Sequence, residues 1–337
     1  MNNDESVIAI LDRELNIRKY QKILLDKCVL TPTKLFSTTL QTLSFQTNVP
    51  IDICEQVQNT VAKNTVPPIT TVQSYEPKPR FYDPILDKFL PMPDSGIVEL
   101  CGQASAGKSN IVYHLAIQER IHDPSRKVVI ISTEGRVPLN RIRQIAECTE
   151  SSFSADDIMN GILITEADTV DQLSEKVQTD LVNLFFAANE PPPSMVVIDS
   201  IASLFRIEYN ISNSPERTRI LFDITATLKW ISATNNTLIL VTNQATANMS
   251  SFSTNSNDWI PSLGYSWSNC INIRMRVTKT SLKHQISTLD TPIRTNPDEK
   301  HNFPSVVPVR TIYVEISPIK QNARTEFYID KSGVHGL

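Results

Sequence analysis

The sequence predicts an α/β protein in which a mostly parallel, doubly wound β-sheet follows a small helical domain. From residue 96 onward, short runs rich in β-branched residues alternate with amphipathic segments of helical period. That order is typical of a parallel sheet covered by helices. Before it, four prolines between residues 67 and 79 interrupt any helical pattern and separate the first 64 residues from the rest.

We therefore predict a helical domain over residues 1–64, a linker over 65–81 and a large domain over 82–337. After residue 265, strand-like segments follow one another without helices between them, which indicates an antiparallel extension of the sheet. Residues 279–309 are polar, contain prolines and show no period, so we expect a disordered insertion there.

The individual elements follow from the pattern in chain order. Continuous apolar runs of about five residues indicate strands that are buried on both faces, as in parallel sheets. Such runs cover residues 97–101, 127–133, 161–165, 194–200 and 237–242. Segments with apolar residues at i, i+3 and i+4 predict helices over 108–121, 138–148, 171–188 and 215–233. The predicted later strands are 265–277, 310–317 and 325–333.

Composition and charge limit the possible functions. The chain is 40% hydrophobic and 20% charged, and its net charge of -4 excludes the global basic surface of a general nucleic-acid binder. The five cysteines never stand at C-x-x-C spacing, so neither a disulfide framework nor a zinc site is indicated, and a reducing compartment is expected. The acidic first residues and the lack of an apolar run of about 20 residues argue against a signal peptide and a membrane partner. We expect an intracellular, soluble protein.

Residues 102–109, GQASAGKS, fit the phosphate-binding motif G-x-x-x-x-G-K-[ST] in full. Successive backbone N–H groups wrap the phosphates in such a loop, which requires glycine and small residues, and the following helix adds its positive end. Lys108 would reach the β- and γ-phosphates, and the Ser109 hydroxyl would ligate Mg²⁺. The alternative is a chance turn between a strand and a helix.

The motif thus predicts binding of ATP or GTP, with ATP and Mg²⁺ as the expected cofactors. The predicted nucleotide contacts are consecutive along the loop and the helix start. They are Gly102, Gln103, Ala104, Ser105, Ala106, Gly107, Lys108, Ser109 and Asn110.

Polar residues at other predicted strand ends complete the candidate site, since ligands of such sheets gather at the carboxyl ends of the strands. Asp199 ends the run MVVID, where a carboxylate can hold the Mg²⁺ shell; alternatively it caps a turn. Glu134 follows VVIIST and can deprotonate an attacking water, or it is a solvated loop residue. Gln244 follows LILVTN and can sense the γ-phosphate, or it lies in a polar turn.

Taken together, GQASAGKS, TEG, VVIDSIASLFRIEY and LVTNQ occur in the order and approximate spacing of the RecA-type recombinases, which the chain resembles over about residues 80–280. The tail segments IPSLGYSWSNCINIRMRV and FYIDKSGVHG are similar to those of the eukaryotic recombinase paralogues, in particular the X-ray-repair cross-complementing group. LDKFL at 86–90 also fits.

This resemblance implies a RecA-like ATPase core, with catalytic roles for Lys108, Glu134 and Gln244 and metal binding by Ser109 and Asp199. It also implies a nuclear protein of DNA repair and homologous recombination. Its expected partners are another recombinase paralogue, in a heterodimer, and the main strand-exchange recombinase, with single-stranded DNA bound mainly as part of the complex. The segment ITTV at 69–72 resembles the linker element by which recombinase subunits add a strand to a neighbour, with Ile69 and Val72 in pockets. An ordinary extended linker is the alternative.

Two departures from the recombinase pattern favour a mediator. Ser132 and Thr133 stand where strand-exchange recombinases usually carry an acidic residue, so at most weak, DNA-dependent ATP hydrolysis is expected. The recombinases hold DNA with two loops, and residues 245–269 correspond to the second of them. This segment lies within the stretch from Trp230 to Ile273, which has no Lys or Arg. It offers aromatic side chains for stacking or for packing, but no cations for phosphates.

Three functions therefore compete: a recombination mediator in a heteromer of paralogues, an autonomous strand-exchange recombinase, and a small-molecule P-loop kinase. The recombinase predicts basic loops, and the kinase predicts a basic lid with an arginine cluster. Because the sequence offers neither feature, the mediator is favoured.

Overall fold

The computed structural model describes residues 35, 38–65, 78, 80–90, 92–187, 190–209, 214–247, 259–286, 306–320 and 322–337. The chain forms two compact units, Met1–Tyr75 and Glu76–Leu337. Residues 1–34, the ITTV segment at 69–72 and most of the predicted linker lie outside the described residues.

The first unit contains two described helices, α1 (Leu40–Thr47) and α2 (Ile51–Thr65). The Thr39 hydroxyl accepts the backbone N–H of Thr42 and so caps the start of α1. A left-handed Asn48, with φ of 55°, ends α1. A small apolar core holds this unit together. It consists of Leu35, Leu43, Val49, Cys54, Val57 and Val61.

The second unit is built on one large sheet. Its strands are β1 (Gly96–Gly102), β2 (Val128–Ser132), β3 (Ile162–Glu166), β4 (Met195–Asp199), β5 (Leu238–Ala247), β6 (Trp259–Pro261), β7 (Ile273–Gln285), β8 (Val306–Ile316), β9 (Arg324–Asp330) and β10 (Gly333–Gly336). The order is β10-β9-β8-β7-β1-β5-β4-β2-β3, and β6 pairs with β5. Strands β7, β1, β5, β4, β2 and β3 are parallel, whereas β8, β9 and β10 are antiparallel.

Helices cover both faces of this sheet. They are α3 (Pro84–Phe89), α4 (Lys108–His122), α5 (Leu139–Cys148), α6 (Ala155–Asn160), α7 (Val170–Glu175), a π-helical segment (Lys176–Leu181), α8 (Val182–Phe185), α9 (Ser203–Glu208), α10 (Ser214–Asn235) and α11 (Gly264–Ser268). Alternate residues of one strand enter two separate cores: Ile130 packs on the α4 side, and Val129 and Ile131 pack on the α10 side. Burial on both faces explains the unbroken apolar runs.

The α/β fold with a parallel sheet and an antiparallel extension is confirmed, with three corrections. The segment predicted as a strand over 265–277 begins as helix α11, where Trp267 is buried in the core, and its strand starts only at Ile273. That strand, β7, is parallel to β1, so the antiparallel part begins at β8. The helix predicted over 171–188 is three successive helical segments that end at Phe185.

The ends of the predicted insertion are strands rather than irregular chain. Residues 279–285 belong to β7 and 306–309 to β8, and the two strands pair from Lys279 with Arg310 to Gln285 with Val306. Most side chains of β7 beyond Val277 are at least partly exposed, which explains why the segment carries no apolar pattern. Residues 287–305 lie outside the described residues. Within the described parts of the chain, none of the helices has the length and apolarity of a membrane span.

Candidate nucleotide-binding site

The predicted phosphate-binding loop connects β1 to α4 at the centre of the sheet. Two of its residues are glycines because neighbouring strands approach closely. A Cβ atom at Gly102 would lie 2.2 Å from the Val277 carbonyl oxygen, and one at Gly107 would lie 2.7 Å from Ile329 Cδ1. Gly107 also has a φ of 106°, which favours glycine. The loop is therefore held between β1 and the C-terminal strands.

Lys108 is folded into this loop. Its Nζ donates to the carbonyl oxygens of Gly102, at 2.8 Å, and Gln103, at 3.0 Å. Burial lowers the pKa of the ammonium group, and the nearby carboxylates of Asp199 and Glu134 oppose that shift. A partly buried cation thus lies beside the loop and near two carboxylates, in a position to bind a phosphate group.

Asp199 lies at the end of β4, where the sheet brings it next to β5. Its Oδ1 accepts a hydrogen bond from the Thr242 hydroxyl. Burial raises the pKa of the carboxyl group, whereas hydrogen bonds from Thr242 and Ser109 lower it. Ser109 and Asp199 are therefore neighbours, as a shared Mg²⁺ ligand shell requires.

Glu134 and Gln244 are brought together although 110 positions separate them in the sequence. Gln244 Nε2 donates to Glu134 Oε1 at 2.6 Å. Arg206, on α9, donates from Nη1 to Gln244 Oε1. These three side chains, the exposed triad, form a chain of hydrogen bonds from Arg206 to the predicted base.

Thr133, one of the two departures from the recombinase pattern, is buried and holds the ends of β2 and β4 together. The Ser200 backbone N–H donates to the Thr133 hydroxyl at 2.9 Å, and that hydroxyl is also hydrogen-bonded to Ser203. Ser132 donates to the Gly135 carbonyl oxygen at 2.6 Å. These bonds fix the turn that presents Glu134, which is the one carboxylate of this turn.

Asn110, the last predicted contact, connects the start of α4 to the antiparallel strands through Arg141. Arg141 Nε donates to Asn110 Oδ1 at 2.9 Å, and its Nη2 donates to the Asp330 carbonyl oxygen at 2.6 Å. The side chain at the helix start is thus anchored by α5 and β9 together.

Most of the predicted site residues line one cavity of about 710 Å³. Its lining residues are Ala104, Ser105, Gly107, Lys108, Ser109, Asn110, Glu134, Asp199, Arg206, Gln244, Ala245 and Arg310. Gly102, Gln103 and Ala106 belong to the loop but do not line the cavity, and Ala106 is fully buried.

Sequence reasoning missed two arginines of the cavity. Arg206 belongs to the segment VVIDSIASLFRIEY, where no role is predicted for it, and its side chain reaches Gln244. Arg310 is the first residue of the predicted strand over 310–317, and no motif surrounds it. The position of Arg206, a few residues after the carboxylate of β4, was the one available signal.

Comparisons with known proteins show which family the chain resembles. The family model described as Rad51 matches residues 85–301. DNA repair protein XRCC3 of Mus musculus is 26% identical over 275 residues, which are 75% of this chain and 74% of the relative. DNA repair and recombination protein RadB of Methanococcus maripaludis strain C5 is 31% identical over 150 residues, which are 44% of this chain and 63% of the relative.

The fold is also found among solved structures. The crystal structure of the RadB recombinase superposes with a TM-score of 0.56 and 16% sequence identity, covering 76% of this chain and 98% of that one. The predicted resemblance to RecA-type recombinase paralogues is confirmed by these matches. Since the family model spans more than half of its length, the chain belongs to the Rad51 family.

Proposed function

We propose that this chain binds Mg-ATP in the cavity and acts as a mediator of homologous recombination and double-strand break repair in the nucleus. It would work in a heteromer with another recombinase paralogue and help to load or stabilise a separate strand-exchange recombinase. The observation that carries the nucleotide part is the convergence of Lys108, Ser109, Glu134 and Asp199 on one cavity at the carboxyl ends of parallel strands. The similarity to XRCC3 and RadB supports the recombination part.

The residues fit Mg-ATP in charge and in shape. Glycine and other small residues of the loop line the cavity and leave the backbone N–H groups open to phosphates. Lys108 would bind the β- and γ-phosphates, and Ser109 with Asp199 would hold Mg²⁺, which neutralises phosphate charge when bound. Glu134 would take a proton from a water molecule, and its hydrogen bond with Gln244 would hold the Glu134 carboxylate in place.

The nucleotide proposal is tested by Lys108→Ala, with Lys229→Ala as the control because Lys229 is an exposed lysine of α10 outside the cavity. Binding to the folded state alone stabilises it by about 2.7 kcal/mol when the ligand is at a hundredfold excess over Kd. We expect saturating Mg-ATP to raise the melting temperature of the wild type and the control, and not that of Lys108→Ala. A wild type whose melting temperature does not respond to Mg-ATP would refute the proposal.

Charge favours the mediator over an autonomous recombinase. Non-specific DNA affinity depends on phosphate neutralisation by Lys and Arg, and the sequence from Trp230 to Ile273 has neither. The Arg276 guanidinium lies 4.5 Å from the ring centre of Trp259, within the second-loop segment, but it is paired with Glu315 at 3.0 Å and Trp259 is buried. This cation is therefore not free to bind phosphates.

Assays of DNA binding and of strand exchange distinguish the mediator from the autonomous recombinase. Each neutralised phosphate steepens the fall of log affinity with log salt by about 0.7 on single strands. We expect the isolated chain to bind a labelled single-stranded oligonucleotide weakly, with a shallow salt slope in fluorescence anisotropy, and to perform no strand exchange. Proteins that co-purify with the chain from its source should include the paralogue partner, and their complex should bind more tightly. Strand exchange by this chain alone, with steep and ATP-dependent binding, would establish the autonomous recombinase instead.

A further inference from the structure

Arg310 reaches the candidate nucleotide site from the antiparallel part of the sheet. It lies on β8, where it pairs with Lys279 of β7 on one side and Phe327 of β9 on the other. Its side chain lines the same cavity as Lys108 and Asp199. A third cation, besides Lys108 and Arg206, therefore enters this cavity from a strand about 200 positions beyond the phosphate-binding loop.

The side chain lies directly beside that loop. A Cβ atom placed on Gly107 would be 3.2 Å from both Cδ and Nε of Arg310. Gly107 is the loop residue that precedes Lys108, and its backbone belongs to the part of the motif that cradles the α- and β-phosphates. The guanidinium thus adjoins the cradle itself, whereas the reach of the Lys108 side chain is toward the β- and γ-phosphates.

The hydrogen-bonding capacity of Arg310 is mostly unused. Nη1 donates to the Pro308 carbonyl oxygen at 3.0 Å, but Nε is buried without a hydrogen-bond partner. Among the described residues, no carboxylate forms an ion pair with this guanidinium, and burial lowers its pKa. Arg206, the other arginine of the cavity, differs because it already donates to Gln244. An arginine that lines the cavity without a carboxylate partner can donate to an anion there through its Nη groups.

We propose that Arg310 is a nucleotide-binding residue that donates to the α- or β-phosphate of the nucleotide held by the loop of its own chain. This role rests on the proposed binding of Mg-ATP. Because the contact is made beside Gly107 rather than at the γ-phosphate, Arg310 serves nucleoside diphosphates and triphosphates alike.

The test measures Kd for fluorescently labelled Mg-ATP and Mg-ADP on the full chain, as wild type and as Arg310→Ala, Arg310→Lys and Arg324→Ala. Arg324 is a matched control, because it is an exposed arginine of the adjacent strand β9 and does not line the cavity. A charge-assisted hydrogen bond corresponds to about a tenfold to hundredfold change in affinity. We expect Arg310→Ala to raise Kd for both nucleotides by that factor, Arg310→Lys to restore part of the loss, and Arg324→Ala to match the wild type.

Melting temperatures without nucleotide, followed by tryptophan fluorescence, accompany each titration and are expected to be the same in all four proteins. Equal Kd values in the wild type and Arg310→Ala would overturn the role of Arg310 while leaving Mg-ATP binding in place. A loss limited to Mg-ATP would also overturn it, because the contact would then be with the γ-phosphate. A wild type that binds neither nucleotide would instead refute the proposed function.

Discussion

Two neighbouring residues of β5, Asn243 and Gln244, each donate a side-chain amide N–H to a glutamate, but in opposite environments. The arginine of each group also bonds differently, since Arg274 donates to Glu99 and Arg206 donates to the Gln244 amide oxygen. Around Gln244 the glutamate and the arginine of the exposed triad are both exposed to solvent. Around Asn243 the group is inside the sheet. The difference arises because successive side chains of a strand point to opposite faces, and at this end of β5 the face of Gln244 opens into the cavity.

The buried triad consists of Glu99, Asn243 and Arg274. Glu99 is fully buried on β1, the strand that leads into the phosphate-binding loop, and Arg274 is 5% exposed on β7. The Glu99 carboxylate accepts from Asn243 Nδ2 at 2.6 Å, from Trp267 Nε1 at 2.8 Å and from Arg274 Nε. Three strands and helix α11 are thus joined at one carboxylate.

The comparison indicates which triad contributes to the stability of the fold and which to the candidate site. Removing one partner of a buried ion pair leaves an uncompensated charge in a region of low dielectric, which is strongly destabilising. Exposed pairs are screened by water and contribute little to stability. We infer that the buried triad maintains the fold around the loop, whereas the exposed triad serves the chemistry of the cavity.

The largest expected effect is that of Arg274→Ala. It leaves the Glu99 charge buried and unpaired, so the free energy of unfolding should fall by about 3–5 kcal/mol. Urea unfolding followed by tryptophan fluorescence reports on this unit, because Trp230, Trp259 and Trp267 all lie within it.

The matched control is the double variant Glu99→Gln with Arg274→Met, which removes both charges and keeps an amide oxygen to accept from Asn243 and Trp267. Because no buried charge is left unpaired, the double variant should be more stable than Arg274→Ala. If Arg274→Ala unfolds at the wild-type urea concentration, the buried triad does not stabilise the sheet.

His114 extends the comparison to a buried group that is held neutral. Burial lowers its pKa from 6.5 to about 4, and its Nε2 is 3.0 Å from the Phe81 carbonyl oxygen. Between those two values the unfolded chain binds a proton that the folded chain does not. The stability that depends on a neutral His114 is therefore fully present above pH 6.5 and is lost as the pH falls toward 4.

The measurement is the free energy of unfolding of the wild type and His114→Gln at pH 7.5 and pH 5.0. A pKa difference acting over about 1.5 pH units corresponds to about 2 kcal/mol. The wild type should lose about that much more than the variant on acidification. The variant is the control for the carboxylates, including Asp83 and Asp330, whose charges lie near His114. Equal losses in both proteins would show that His114 does not titrate in this way.

The smallest expected effect on stability is that of Glu134→Gln, in the exposed triad. The amide keeps a hydrogen-bonding group beside Gln244 but cannot act as a base. Stability should change by less than about 0.5 kcal/mol, as is usual for exposed positions. Binding of Mg-ATP should persist, and any ATP turnover measured by phosphate release should be lost. Turnover equal to that of the wild type would remove Glu134 from the mechanism.

Local sequence was enough to predict the phosphate-binding loop and the two carboxylates that follow strands β2 and β4. The phosphate-binding loop could be predicted because its chemistry depends on consecutive backbone groups, which the spacing of Gly102, Gly107 and Lys108 specifies directly. Asp199 and Glu134 could be placed at one edge of the sheet because each follows an apolar run and parallel strands end on the same side. The two cores were likewise implied by unbroken apolar strands.

Tertiary structure alone decided which distant charges meet. Glu99 and Arg274 are separated by 175 positions, and nothing near either residue in the sequence indicates its partner. The same holds for Arg310, which reaches Gly107 only because β7 pairs in parallel with β1 and β8 pairs with β7. Strand order and register are set by packing across the whole sheet. A local pattern specifies backbone geometry over a few residues, and the partners of a buried or cavity-lining cation are set by contacts that only the folded chain creates.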